Sequence, residues 1–155
     1  MDYRLNKGVT LLEAIFVMAI LAILATVTFA AFSRSNTSQA LEGAARTTVA
    51  VLNDARARTL ASRGDDQYGV RFESDRVILF AGSSYDVDDP ANEVTRLPSR
   101  VSITNISLSG GGSDLSFSRL SGVSSANGSV TLTADAEGSP VRTIVISETG
   151  LAYEE

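Results

Sequence analysis

From Val9 to Phe32 the chain runs for 24 residues with a single charged side chain, Glu13. Wound as an α-helix at about 1.5 Å per residue, that stretch reaches roughly 36 Å, more than the ~30 Å hydrocarbon core of a bilayer. The remainder of the chain is polar, rich in Ser, Thr, Gly and Asp, the character of an exported domain. Arg4 and Lys7 precede the apolar run and no basic residue interrupts it, which favours a cytoplasmic N-terminus with the C-terminal domain outside. An ordinary secretory signal places its cleavage site after the apolar region, at small residues. Here Ala30-Ala31-Phe32 passes into Ser33-Arg34 without such a break.

Glu13 is the feature that a plain membrane anchor does not need. A carboxylate at the middle of a membrane helix costs about 2.5–3.5 kcal/mol on insertion scales, and less near the interface. It either snorkels to water or has a partner. Read as a unit, Gly8-Val9-Thr10-Leu11-Leu12-Glu13 resembles the class III signal of type IV prepilins. That signal has a basic residue and Gly, then a hydrophobic residue, Thr-Leu-Leu, and Glu at the fifth mature position. The resemblance spans Leu5 to Leu24. It implies cleavage between Gly8 and Val9 by a membrane-embedded aspartyl prepilin peptidase, and then N-methylation of Val9. Val9 departs from the Phe most common in the family. The absence of proline between Val9 and Leu60 departs from the kinked helix of many major pilins.

The chemistry of the motif is simple. Gly8 presents an extended backbone with no side chain in a protease's way. Cleavage leaves an α-ammonium on Val9 at the tip of an apolar helix. Two buried opposite charges are tolerable when paired. Glu13 lies four residues from Val9 on roughly the same helix face. In a staggered bundle it can instead meet a neighbour's ammonium, which is the assembly role the resemblance implies. Thr10 is expected to return its hydroxyl to the backbone or cap the helix.

Beyond Phe32 the pattern turns amphipathic. Leu41, Ala45, Val49, Leu52 and Ala55 recur at helical spacing, and Gly64 with Asp65-Asp66 predicts the stop. From Gln67 the period is two. Strands are predicted around Tyr68–Phe72, Val77–Phe80, Val101–Leu108, Leu115–Phe117, Val130–Leu132, Thr143–Ile146 and Leu151–Tyr153, with a bulge near Asn105. The expected organisation is a leader at 1–8, a transmembrane or filament-core helix at 9–32, an amphipathic continuation at 33–64, and a β-rich head at 65–155. The fold class is α+β, a long pilin-like N-terminal helix packed on an antiparallel sheet or two packed sheets. The stretch Leu52–Ser62, running into Tyr68-Gly69-Val70, is similar to the minor-pseudopilin group known as GspH and FimT.

Composition excludes more than it suggests. There are no cysteines and no histidines, so neither a disulfide, a Cys-based zinc site nor a catalytic His is available. The formal net charge is −5. Removal of residues 1–8 takes away Arg4, Lys7 and Asp2 and leaves 11 basic against 17 acidic side chains, or −6. An acidic chain without a basic cluster makes a poor nucleic-acid binder. Arg56, Arg58 and Arg63 form a small basic group, but Asp54, Asp65 and Asp66 adjoin it. Asp86, Asp88 and Asp89, with Asn92 and Glu93, concentrate oxygen ligands suited to calcium, although no EF-hand spacing is present. No other cofactor is indicated. Asn105-Ile106-Ser107 and Asn127-Gly128-Ser129 fit the glycosylation sequon. Nothing resembles a catalytic triad or a phosphate-binding loop, so an enzyme is not expected.

The resemblance thus implies a structural subunit of a type IV pilus or type II secretion pseudopilus. Such a subunit is stored as a single-pass inner-membrane precursor and assembled into an extracellular or periplasmic filament. Its partners would be the prepilin peptidase, other pilin subunits, the inner-membrane assembly platform and, before assembly, membrane lipid. The rival reading is a signal-anchored extracytoplasmic binding domain that does not polymerise.

Overall fold

The computed structural model describes residues 10–61, 66–136 and 138–155, with the backbone alone at residues 27 and 29–34. Among the described residues, one α-helix, α1 (Leu11–Ala61), precedes eight strands. They are β1 (Tyr68–Phe72), β2 (Arg76–Ala81), β3 (Glu93–Arg96), β4 (Val101–Leu108), β5 (Asp114–Ser116), β6 (Gly128–Ala134), β7 (Val141–Ile146) and β8 (Ala152–Glu154). The pairings between them are antiparallel. The strands form two four-stranded sheets, ordered β3-β2-β1-β5 and β4-β6-β7-β8. The fold is α+β, with two sheets rather than one. The chain divides into two compact units, Met1–Asn36 and Thr37–Glu155.

In the second unit the helix and both sheets share one core. Val70, Phe72, Val77, Leu79, Leu115 and Phe117 come from the first sheet and its continuation. Val101, Ile103, Leu108, Val130, Leu132, Ala134, Ile144 and Ile146 come from the second. Leu41, Ala44, Leu52 and Ala55 complete it from α1. Full burial of each Val, Leu, Ile or Phe stabilises by about 1.5–3 kcal/mol.

The apolar face predicted for the helix is largely the buried one, but Val49 is only half-buried. Thr48 and Thr59 are buried instead. Their hydroxyls donate to the carbonyls of Ala44 and Ala55, each at 2.9 Å, so neither is left unsatisfied. Thr59 Oγ1 also accepts the Tyr68 N–H at 3.0 Å, tying the end of α1 to the start of β1. The predicted stop at Gly64-Asp65 and the basic residue Arg63 lie outside the described residues.

The first sheet is covered on both faces around β2. Val77 and Leu79 face the core, while Ile78 and Phe80 are buried on the opposite side. There the Tyr85 ring meets Phe80 edge-on, 5.7 Å between centroids, and the Arg71 guanidinium lies 4.8 Å from the Tyr85 ring centre. Gly69 makes room for this layer, since a Cβ there would fall 2.3 Å from Phe80 Cζ.

Ion pairs ring this first sheet. Arg71 meets Asp114 at 3.3 Å, Arg76 meets Glu73 at 3.1 Å and Asp75 at 2.9 Å, and Arg96 meets Asp75 at 3.6 Å. The hydrogen bond from Arg76 holds the Asp75 carboxyl below the usual carboxylate range. A carboxyl depressed in the folded state contributes stability that is present above its unfolded pKa, about 4. That contribution is lost as pH falls through the lower folded value. Asp75→Asn is therefore expected to flatten slightly the fall in thermal midpoint below about pH 4, while changing its shape little at pH 5–7. An acid melting profile identical to wild type would refute this.

In the second sheet, β4 carries the predicted bulge, a register shift between Ile103 and Asn105. Ser102 lies opposite Thr133, Asn105 opposite Thr131, and Ser107 opposite Ser129. These residues alternate with the buried Val101, Ile103, Val130 and Leu132, which lines the outer face of β4 and β6 mostly with hydroxyls.

Candidate functional site

The helix begins with a built cap. Thr10 Oγ1 accepts the Glu13 N–H at 3.2 Å, and Thr10 O accepts the Ala14 N–H at 3.1 Å. With Leu11 opening the helix, Thr10 is the N-cap residue and Glu13 stands at the third helical position, the Thr-x-x-Glu spacing of a capping box. Glu13 also lies in the first turn, where the helix dipole favours negative charge. Sequence reasoning finds the Thr10 cap and leaves Glu13 to water or to a charge partner. The three-residue spacing between them carries the missed signal. Gly8 and Val9, the expected cleavage and methylation positions, lie outside the described residues.

Around α1 the next turns expose apolar side chains on every side. From Leu11 to Leu24 the large apolar residues are between 49% (Val17) and 82% (Leu11) exposed, and they include Phe16, Met18 and Ile20. A helix apolar all round belongs inside protein or lipid. The polar atoms it carries are turned inward. Thr26 Oγ1 donates to Ile23 O at 2.8 Å and Thr28 Oγ1 to Leu24 O at 2.6 Å. Hydroxyls satisfied by their own helix backbone suit a medium without water. Among the described residues no helix is long and apolar enough to cross a membrane. From Thr10 to Thr26, with Glu13 the one charge, the helix reaches about 25 Å against a core of ~30 Å. The expected span, Val9–Phe32, includes residues outside that description.

The head brings neither of its other sequence-predicted groups together. Asp86 Oδ1 accepts the Asp88 N–H at 3.0 Å and Asp89 Oδ1 accepts the Ala91 N–H at 2.8 Å, so two of the three carboxylates shape their own turns. Asn92 Nδ2 donates to Asp86 O at 2.7 Å, and Glu93 is engaged by Arg58. Among the described residues no group of three His, Cys, Asp or Glu side chains could hold a metal ion. The calcium arrangement suggested by this loop is not assembled.

Of the arginines, Arg58 sits between Glu93 and Asp54. The hydrogen bonds it donates, to Glu93 first and then to Asp54, push its pKa further upward. Arg56 turns away to donate Nε–H to Gly122 O at 3.0 Å. These side chains act as internal fastenings and do not form a shared basic surface.

Residues 3–29 match the family model described as the prokaryotic N-terminal methylation motif. The chain therefore carries that motif at its N-terminus, and the motif supports a type IV pilin-type precursor. The motif goes with processing by prepilin peptidase, a signal-anchored precursor at the cell envelope and assembly with other pilin subunits. No curated protein and no solved structure matched the chain.

Proposed function

We propose that the chain is a structural subunit of a type IV pilus or type II secretion pseudopilus. It is cut after Gly8, methylated on Val9 and assembled through α1. The observation that carries this reading is an acid-bearing, capped helix start leading into turns whose apolar side chains are exposed all round. Lipid covers those side chains in the stored precursor, with Val9 to Phe32 as the membrane span. In the filament, the helices of neighbouring subunits cover them. The Glu13 carboxylate then neutralises the Val9 ammonium of a staggered neighbour, which sets the axial step. An inner-membrane platform extracts the subunit from the bilayer. Similarity of Leu52–Ser62 to the GspH and FimT group supports a minor, initiating position.

A second reading is favoured by one observation. The Thr10 cap, whose hydroxyl accepts the Glu13 backbone N–H, orders the helix start within a single chain, as an anchored monomer would require. Intact mass and N-terminal sequence separate the two. Co-expressed with a prepilin peptidase, the chain is expected to begin at Val9 and to be one methyl heavier than the unmodified product. A chain still beginning at Met1, beside a control substrate that is cut, would leave the anchored monomer as the better account.

A further inference from the structure

The register of the second sheet gives its outer face a grain. One row crosses all four strands. Ser107 on β4 lies opposite Ser129 on β6, Ser129 opposite Val145 on β7, and Val145 opposite Tyr153 on β8. The next row sets Asn105 opposite Thr131 and Thr131 opposite Thr143. Beyond it the Thr104 and Thr133 hydroxyls bond to each other at 2.8 Å. Neighbours within a row stand about 4.8 Å apart, the spacing of paired strands. The alternating Val130, Leu132, Ile144 and Ile146 are sealed in the core, so both rows point outward.

Charge, chemistry and shape each narrow what this face can hold. From β4 to β7 neither row carries a carboxylate or a guanidinium, in a chain with 18 acidic and 13 basic side chains. Arg142 and Glu154 pair with each other at 2.8 Å from the alternate positions, and Glu155 follows β8 at the margin. An ionic partner laid on these rows would lose hydration and gain no counter-charge. The face is also divided. Hydroxyls and the Asn105 amide hold the β4 and β6 side, while Val141 (51% exposed), Val145 and the Tyr153 ring (53% exposed) hold the other. A pyranose sugar has the same two characters, with hydroxyls round its rim and C–H faces that pack on an aromatic ring. Finally, a sheet surface touches a ligand from one side only, whereas sites for single small molecules are concave. Enough contact is gained only if linked sugars cross several strands at once. Such a chain must itself be flat, since a coiled one lifts away from the sheet.

We propose that the outer face of β4, β6, β7 and β8 binds an uncharged polysaccharide with a flat, ribbon-like chain, laid along the row from Ser107 to Tyr153. Tyr153 stacks on a sugar ring. Ser107, Ser129, Asn105 and Thr131 exchange hydrogen bonds with the sugar hydroxyls. One chain carries the whole face, so the proposal does not rest on the filament reading.

The test titrates cellohexaose, an uncharged glucan ribbon, into the full-length chain held in a sugar-free zwitterionic detergent, with binding read by calorimetry. Maltohexaose, made of the same sugar but coiled, and an oligogalacturonate, extended but charged, are the comparators. Saturable binding is expected for cellohexaose alone. Tyr153→Ala should weaken it about tenfold, the order expected for one lost aromatic contact, and leave the thermal midpoint of the head nearly unchanged. Ser107→Glu, which places a charge at the exposed end of the row, should weaken it as well. No binding of cellohexaose at millimolar concentration would overturn the proposal. Equal binding of maltohexaose, or wild-type affinity in both variants, would do the same. If the face instead joins two copies of the chain, cellohexaose gives no heat and Tyr153→Ala lowers the dimer fraction in sedimentation. The carbohydrate proposal then falls, and the filament reading is untouched by any of these results.

Discussion

Glu13→Leu is expected to leave a stable, correctly cleaved precursor in the membrane and to abolish filaments. Leucine suits the apolar run better than glutamate does, so insertion should improve. In the proposed assembly, however, the Val9 ammonium of each neighbour loses its counter-charge. Breaking a buried pair by removing one partner costs about 3–5 kcal/mol, a factor of roughly 10²–10⁴ per contact. The contact repeats at every subunit, so sheared-filament yield should fall below detection while N-terminal sequencing still reads from Val9. Glu13→Gln separates the cap described for this residue from the pairing proposed for it. Glutamine serves the third position of a capping box nearly as well as glutamate but carries no charge. Filament loss in both variants points to the ion pair. Wild-type filaments from Glu13→Gln would sink the pairing mechanism.

The second large effect lies in the head. Gly128 opens β6 with φ at +150°, and a Cβ there would sit 1.9 Å from Ser107 O and 3.0 Å from Leu108 Cα. Both contacts are backbone atoms of β4, the strand paired with β6, so no side-chain rotation relieves them. Gly128→Ala combines a strained backbone, about 1–3 kcal/mol, with an overpacked ladder, about 1–3 kcal/mol. Against a domain stability of about 5–15 kcal/mol, a drop in thermal midpoint on the order of 10 °C or more is expected. Thermal melting tracked by far-UV circular dichroism checks it. A change under about 2 °C would mean that β4 and β6 part more easily than their register implies.

Most of the elements are legible in the sequence because they obey one period each. β1 and β2 alternate or run apolar between clear turns, and the bulge in β4 shows as a one-residue slip between Val101-Ile103 and Ile106-Leu108. β3 is not legible. Glu93-Val94-Thr95-Arg96 is an exposed edge strand whose place is set by pairing with Arg76–Leu79, which no local pattern announces. Thr48 and Thr59 escape a pattern search because a hydroxyl reads as polar until its carbonyl partner four residues back is known. At the N-terminus, residue type and spacing are enough to find the methylation motif. The cap joining Thr10 to Glu13 is equally visible in the spacing, yet it hides behind the more specific meaning of the same glutamate. The acidic loop is a different case. Asp86 and Asp89 group by composition, whereas each is occupied by a backbone N–H two residues on.

The two sheets expose faces that respond differently to the surrounding medium. Around the first, Arg71, Glu73, Asp75, Arg76, Arg96 and Asp114 form a mesh of opposite charges that is screened over about 10 Å at 0.1 M salt. Across β4 and β6 of the second, Ser102, Ser107, Ser129, Thr131 and Thr133 carry no charge and do not titrate between acid and alkaline surroundings. Any attachment made through the hydroxyl face would keep its strength from fresh water to brine. One made through the other face would weaken as salinity rose, so the head carries one salinity-sensitive surface and one that is indifferent to it.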